Sequence, residues 1–416
     1  MYEYAIAWEW LTFAIRWLHV VTAVAWIGSS FYFIALDLGL TKRPGMPEGV
    51  YGEEWQVHGG GFYHVQKYLV APASMPKHLT WFKWESYFTW MSGFAMLCVV
   101  YYGGADLFLI DRSVLDITPW QAIGLSMASL AVGWICYDLL CKSPIGKSTW
   151  GLMILLYILL VIMAWGYTQV FTGRAAFLHL GAFTATIMTA NVFFIIMPNQ
   201  RVVVADLIAG RKPDPKYGMI AKQRSLHNNY LTLPVVFFML SNHYPLAFAT
   251  AYNWIIAALV FLMGVSIRHW FNTGHARKGK PIWTWMITTV IFIIIMWLST
   301  VQKPSDGEHV SLSPMQTQFL ADAHFTKARD IVEARCSMCH AQEPSWQGLT
   351  FPPKNVKFET DNEIAAHAHE IYIQAGRTHA MPPGNVTNVT PQERAVLVAW
   401  YESTINNLNA PKGANP

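Results

Sequence analysis

The chain has 416 residues, of which 53% are apolar and only 13% charged, against roughly 25% charged residues in a soluble globular protein. That balance excludes an ordinary soluble enzyme and points to a chain held mostly in the lipid bilayer, where its many Trp, Tyr and Phe suit the membrane-water boundary. The net charge of +4 is small and scattered, with no basic stripe, phosphate loop or zinc spacing, so nucleic acid is excluded as a partner.

The first residues carry Glu3 and Glu9 and lack the basic start and small-residue cleavage site of a removable signal peptide. The first helix is therefore expected to act as an uncleaved insertion signal. Crossing a hydrocarbon core takes about 20 mostly apolar residues. Eight such stretches follow, at residues 11–36, 84–104, 119–141, 149–171, 175–198, 229–247, 249–271 and 281–301. Lys and Arg collect in alternate loops: Lys42, Arg43, Lys67 and Lys77 after the first, Lys142 and Lys147 after the third, Arg201 to Arg224 after the fifth, and Arg277, Lys278 and Lys280 after the seventh. The other loops offer little beyond Arg112 and Arg174. Positive loops stay inside, so both termini are expected in the periplasm of a bacterial inner membrane. Cys98, Cys136 and Cys141 lie in or beside apolar segments and read as small hydrophobes.

An internal regularity joins the two halves. Trp17-Leu18-His19 in the first span matches Phe177-Leu178-His179 in the fifth, Tyr87-Phe88-Thr89 matches Tyr230-Leu231-Thr232, and Gly133 with Asp138 falls on Gly264 with His269. This suggests a 4+4 tandem repeat. The expected fold is all-α: an eight-helix transmembrane bundle over residues 1–302, a polar linker over 303–316 containing Pro304, Gly307 and Pro314, and a periplasmic class I-like cytochrome c domain over 317–416.

That last domain rests on Cys336-Ser337-Met338-Cys339-His340, the C-x-x-C-H signature of covalent c-type haem. Two thiols on one turn form thioethers to the porphyrin while the adjacent imidazole reaches the iron. Met381, in Ala380-Met381-Pro382-Pro383, is the expected sixth ligand, with His367, His369 and His379 as competitors; His/Met ligation raises the potential. Pro391 to Tyr401, after a Thr390 N-cap, reads as the closing helix. Export of the tail to the periplasm, where bacterial c-type haem is attached, agrees independently with the charge rule.

Ionisable residues within membrane helices are functional candidates by default. His19 and His179 occupy equivalent repeat positions and are candidate axial ligands of a second, non-covalent b-type haem. A relay is wanted because one electron step across most of the bilayer is too long. Toward the cytoplasmic ends lie Asp37, Glu85, Asp138, Arg268 and His269, joined by His227, Asn228 and Asn229. This mixture of acids, amides, imidazoles and a guanidinium suits a polar pocket for a heterocycle. The preceding loop adds Trp55, His58, three glycines, Phe62, Tyr63 and His64, able to approach and stack on a flat ligand or to lie along the membrane surface.

The run His227-Asn228-Asn229-Tyr230-Leu231-Thr232-Leu233-Pro234, the segment Ser241-Asn242-His243-Tyr244-Pro245, the His58-Gly-Gly-Gly-Phe62-Tyr63 loop and the terminal C-x-x-C-H together resemble the PuuD-type membrane urate hydroxylases of bacteria, across essentially the whole chain. The resemblance implies oxidation of urate to 5-hydroxyisourate in purine degradation, with electrons passed through the membrane to haem c and on to a cytochrome c or terminal oxidase of the respiratory chain. On this reading Arg268 or a loop amide meets the urate charge, Asn228 and Asn229 pair its edges, and Glu85, His58, His227 or His269 is the base. Two other classes stay open: a purine or anion transporter with a redox-sensing cytochrome, and a membrane electron conduit.

Overall fold

The computed structural model describes residues 2–69, 72, 76–112, 114–300, 312–347, 349 and 352–409. The first helix, α1 (Tyr2–Gly39), runs into an antiparallel hairpin of β1 (Val50–His58) and β2 (Gly61–Tyr68), with His58 paired to Gly61. The hairpin corrects the all-α expectation for this segment. Gly59 and Gly60 both have positive φ, +59° and +79°, as a two-residue turn between right-twisted strands requires. The glycines thus serve chain reversal, where ligand approach was expected.

Then come α2 (Trp84–Met96), extended by a π-helical segment over Leu97–Tyr102, the short α3 (Ala105–Phe108), α4 (Pro119–Lys142) and α5 (Thr149–Thr168). Next, α6 (Gly173–Ala190) continues through a second π segment, Asn191–Ile196, into α7 (Met197–Ile208). The remaining long helices are α8 (Pro215–Leu240), α9 (Asn253–His275) and α10 (Trp283–Ser299). Sharp starts have local causes: Thr118 and Gln121 form a reciprocal capping box ahead of Pro119, and the Asp214 carboxylate caps α8 ahead of Pro215. Because of that cap, α8 begins 14 residues before the expected span at 229.

All eight expected segments are thus mainly helical. Five helices, Ile6–Gly39, Pro119–Lys142, Thr149–Thr168, Gly173–Ile208 and Asn253–His275, are long and apolar enough to cross a membrane, and Trp283–Ser299 is a shorter apolar helix. Their outer faces expose large apolar side chains, among them Phe13, Trp17, Ile162, Met286 and Trp297, as lipid-facing helices do. At the centre lies α6, which buries Phe177, His179, Phe183 and Ile187. In the packing, α1 lies on α2 and α6 lies on α8.

The aligned glycines Gly133 and Gly264 are both points of close approach. A Cβ at Gly133 would stand 1.8 Å from Phe183 Cε2, and one at Gly264 would stand 2.5 Å from Pro234 Cδ. Gly133→Ala is therefore expected to lower the unfolding midpoint, because overpacking costs about 1–3 kcal/mol and exceeds the gain of about 1 kcal/mol in helix propensity. Gly124→Ala, on the same helix with nothing within 4 Å, should leave the midpoint unchanged or raise it.

The C-terminal part has its own apolar core, built from α11 (Pro314–Ala321), α12 (Phe325–Arg335), α13 (Asp361–Ala366), α14 (Ala368–Glu370) and α15 (Pro391–Asn409). Trp400 of α15 is fully buried between Phe319 and Phe325, at ring-centroid distances of 5.6 and 5.8 Å, and its Nε1 donates to the Phe319 carbonyl at 3.0 Å. The Thr390 cap takes the expected form: Thr390 N donates to Glu393 Oε2 at 2.7 Å and Glu393 N to Thr390 Oγ1 at 3.2 Å. Most of the expected linker, 303–311, lies outside the described residues, and Pro314 already opens α11.

This part sits at the end of the helical bundle opposite the hairpin, with the Arg174 guanidinium donating to the Lys354 carbonyl. The basic loops gather at the hairpin end, where Arg277 Nη2 meets Glu54 Oε2 at 3.2 Å and Gln223 Nε2 donates to the Gly146 carbonyl at 2.8 Å.

Candidate functional site

The polar residues near the hairpin end separate into two networks. In the first, Arg224 Nη2 donates to Asp138 Oδ1 at 2.7 Å, Arg224 Nη1 to Asn191 Oδ1 at 3.1 Å, and Asn191 Nδ2 to Asn228 Oδ1 at 3.0 Å and to the Tyr137 hydroxyl at 3.1 Å. Tyr137 in turn bonds His227 Nδ1 at 2.8 Å, and Asn228 Nδ2 donates to the Met188 carbonyl at 2.9 Å. The cation here has its counter-ion and the amides have their partners. This network ties α4, the π segment after α6, and α8 together, and it occupies His227 and Asn228 in holding the bundle.

The second network is different in kind. Asn229 Oδ1 accepts from Arg268 Nε and Nη2, at 3.3 and 3.2 Å, and from Asn272 Nδ2 at 2.9 Å, while Arg268 Nη2 also donates to Asn272 Oδ1 at 2.9 Å. The guanidinium carbon lies 3.9 Å from the Phe31 ring centroid. Arg268 is only 4% exposed, and none of the ion pairs among the described residues involves it. Asn229 Nδ2 is buried with no hydrogen-bond acceptor among the described residues. A buried cation without an anion and a buried donor without an acceptor are both costly, and an anionic ligand bearing carbonyl oxygens would satisfy both.

Of the other candidates, His269 bonds the Tyr230 hydroxyl through Nδ1 at 3.3 Å, beside the Asn229 site. Glu85 is half-buried at the start of α2, and its carboxylate has no partner among the described residues. His58 stands exposed at the hairpin tip, away from both networks. Sequence reasoning missed Asn272 and Phe31. Arg268 and Asn272 are four residues apart on one helix face, a signal that was available; Phe31 came from another helix and carried none.

The hairpin is anchored by Glu53, which accepts from the Arg43 guanidinium, from His64 Nε2 at 2.8 Å and from Gln66 Nε2 at 3.4 Å. Arg43 above all holds the Glu53 carboxyl down at about 2, below its unfolded value of 4.5. A depressed carboxyl contributes stability that is complete above the unfolded value and lost as pH falls through the folded one. Pepsin is therefore expected to cut between residues 41 and 68 increasingly as pH drops from 4.5 toward 2. Glu53→Gln should be cut throughout that range.

At the opposite end, Cys336, Cys339, His340 and Met381 line one cavity of about 1870 Å³. His340 donates from Nδ1 to the Val356 carbonyl at 2.9 Å, which fixes the ring and leaves Nε2 with its lone pair. Burial pushes the Cys336 thiol up to about 12, and a thiol held protonated is a poor redox nucleophile. The Met381 loop is held by Arg394, whose Nη1 donates to the Met381 carbonyl at 3.0 Å and whose Nη2 donates to Asn385 Oδ1 at 2.9 Å. These residues fit a covalently attached haem with His340 and Met381 on the iron. Of the competing ligands, His367 and His369 also line the cavity, whereas His379 lies outside it.

The pairing of His19 with His179 does not hold. His179 is fully buried; its Nδ1 donates to the Ala175 carbonyl at 2.8 Å, so Nε2 accepts from the Ser126 hydroxyl at 2.7 Å and neither nitrogen is left for a metal. His19 differs, because Nδ1 donates to the Thr89 carbonyl at 3.0 Å and the ring lines the large cavity.

No curated protein and no solved structure matches the chain. The urate oxidase N-terminal family matches residues 5–299, a span that takes in the helical bundle and the hairpin and stops before the C-x-x-C-H domain. With that match covering well over half its length, the chain belongs to the urate oxidase N-terminal family.

Proposed function

We propose that this chain is a membrane enzyme that converts urate and water to 5-hydroxyisourate, two protons and two electrons, the electrons leaving through a c-type cytochrome domain to the respiratory chain. The observation that carries the reading is Arg268, a buried guanidinium that has no counter-ion among the described residues and lies beside Asn229 Nδ2, which has no acceptor among them. Urate is a flat anion edged with carbonyl oxygens. Arg268 meets its charge, and Asn229 Nδ2 donates to one of its carbonyls. Asn272, bonded to both, orients them. His269 or Glu85 takes the ring proton that oxidation releases.

Cys336 and Cys339 would hold a haem by thioethers, and His340 and Met381 would bind its iron. Bound there, the haem supplies a one-electron acceptor, raised in potential by the Met ligand. The Val356 carbonyl orients His340, and Arg394 keeps the Met381 loop in place. Eight helical spans, with both termini on the periplasmic side of a bacterial inner membrane, put the urate site on the cytoplasmic face and the haem on the other, in keeping with the opposite ends they occupy in the fold.

Anaerobic addition of urate to the purified protein is expected to reduce the haem c absorption bands directly. Uptake of urate into proteoliposomes without reduction would instead identify a transporter, and no response of either kind would leave an electron conduit.

A further inference from the structure

We infer that the cavity at the domain junction holds a second, non-covalent haem, with His19 and His243 on the iron and its carboxylates on Arg16, Arg174 and Lys354. The inference rests on the covalent haem proposed above only in that this group occupies the Cys336 end of the same space.

Size is the first argument. A site for one small molecule is roughly 300–1,000 Å³, and this cavity, at about 1870 Å³, extends past Cys336 and His340 to the walls of α1, α2 and α8. Two planar macrocycles in one cavity are close enough to exchange electrons without a long step through lipid.

The second argument is the pair of imidazoles. Among the described residues of the helical bundle, His19 and His243 are the histidines that line the cavity. The Thr89 carbonyl holds His19 by Nδ1, leaving Nε2 as the ligand atom, the same arrangement that Val356 imposes on His340. The ring fits against Gly93, where a Cβ would stand 2.8 Å from His19 Cε1. His243 ends the turn Ser241–His243, is exposed to the cavity, and has no hydrogen-bond partner among the described residues.

Charge is the third. Arg16 lies one turn before His19, and Arg174 and Lys354 join where the two domains meet; all three line the cavity and lie within coulombic reach of His243. Acids line the same space, among them Glu9, which acts on both Lys354 and Glu370, and Glu370, whose carboxyl burial chiefly pushes up to about 8; Arg16, Arg174 and Lys354 are therefore a local cationic patch at the His243 side of the cavity. Guanidinium groups recognise carboxylates in fork geometry. Buried Glu370 Oε2 and His367 Nδ1 face each other at 4.0 Å, both belong to residues that line the cavity, and neither has a hydrogen-bond partner among the described residues. They are polar atoms that an occupant would satisfy. Each electron from urate reduces the ferric iron of this haem to ferrous, and its reoxidation reduces haem c by one electron; two passages clear one urate.

The test is acid-acetone extraction of the full-length protein followed by pyridine haemochrome analysis, which separates extractable from covalent haem. Wild type is expected to yield one extractable b-type haem per covalent haem. His19→Met and His243→Met, which keep the side-chain volume, should lose the bis-histidine low-spin signal in electron paramagnetic resonance while retaining covalent haem. Arg16→Gln with Arg174→Gln should lose haem faster to apomyoglobin. His179→Leu should keep the extractable haem. Wild type holding covalent haem alone, even after incubation with haemin, would overturn the inference, as would an unchanged signal in His243→Met. If the extractable haem is present but urate reduces neither haem, the proposed function fails while this site stands.

Discussion

Arg268→Met is expected to reduce kcat/KM for urate by a factor of roughly 30 to several thousand, corresponding to about 2–5 kcal/mol for truncating one partner of a buried charge-assisted contact. Arg268→Lys should fall between, since it restores the charge but not the fork that spans Asn229 and Asn272. The same change should not destabilise the fold. Arg268 has no carboxylate to strand among the described residues, and removing a buried uncompensated cation relieves a desolvation cost. Steady-state kinetics with urate, read beside the unfolding midpoint and the haem c spectrum, checks both halves. A variant that lost stability and turnover together would make Arg268 structural.

Arg224→Met is expected to behave in the opposite way. Arg224 is 2% exposed and pairs with buried Asp138, and breaking a buried pair from one side costs about 3–5 kcal/mol. Lys142, 2.6 Å from Asp138 Oδ2 but 62% exposed, should hold the loss near the lower figure. The double change Arg224→Met with Asp138→Leu is expected to recover much of the stability, because no charge is then left buried alone. Thermal unfolding in detergent measures the series. Similar losses in the single and double variants would show that the pair's neighbours, Asn191 and Tyr137, carry the cost instead.

These two arginines lie on the same side of the bundle and are similarly buried, yet they are assigned opposite roles. The difference is the presence of a carboxylate, and it was invisible before the helices were packed. Asp138 and Arg224 are 86 residues apart in the chain, so nothing local announced their pairing. Asn228 and Asn229, adjacent in one run, point into different networks because successive helix residues are about 100° apart. Gly133 and Gly264, aligned in sequence, are both sites of close packing, but the same alignment misled for His179. Sequence equivalence with His19 carried no information about Ser126, the hydroxyl on α4 that takes the second nitrogen.

By itself, the sequence determined that the chain is mainly helical and apolar, roughly which segments are helical, and which cysteines and histidine make the C-x-x-C-H site. These depend on periodicity, caps and short spacings, which are local properties. Only the tertiary structure decided that residues 50–68 form a hairpin, that Arg268 and not Arg224 lacks a counter-ion, and that His19 faces the same cavity as His340. Those facts depend on which side chains meet across helices distant in sequence, and burial gives each meeting its energetic weight.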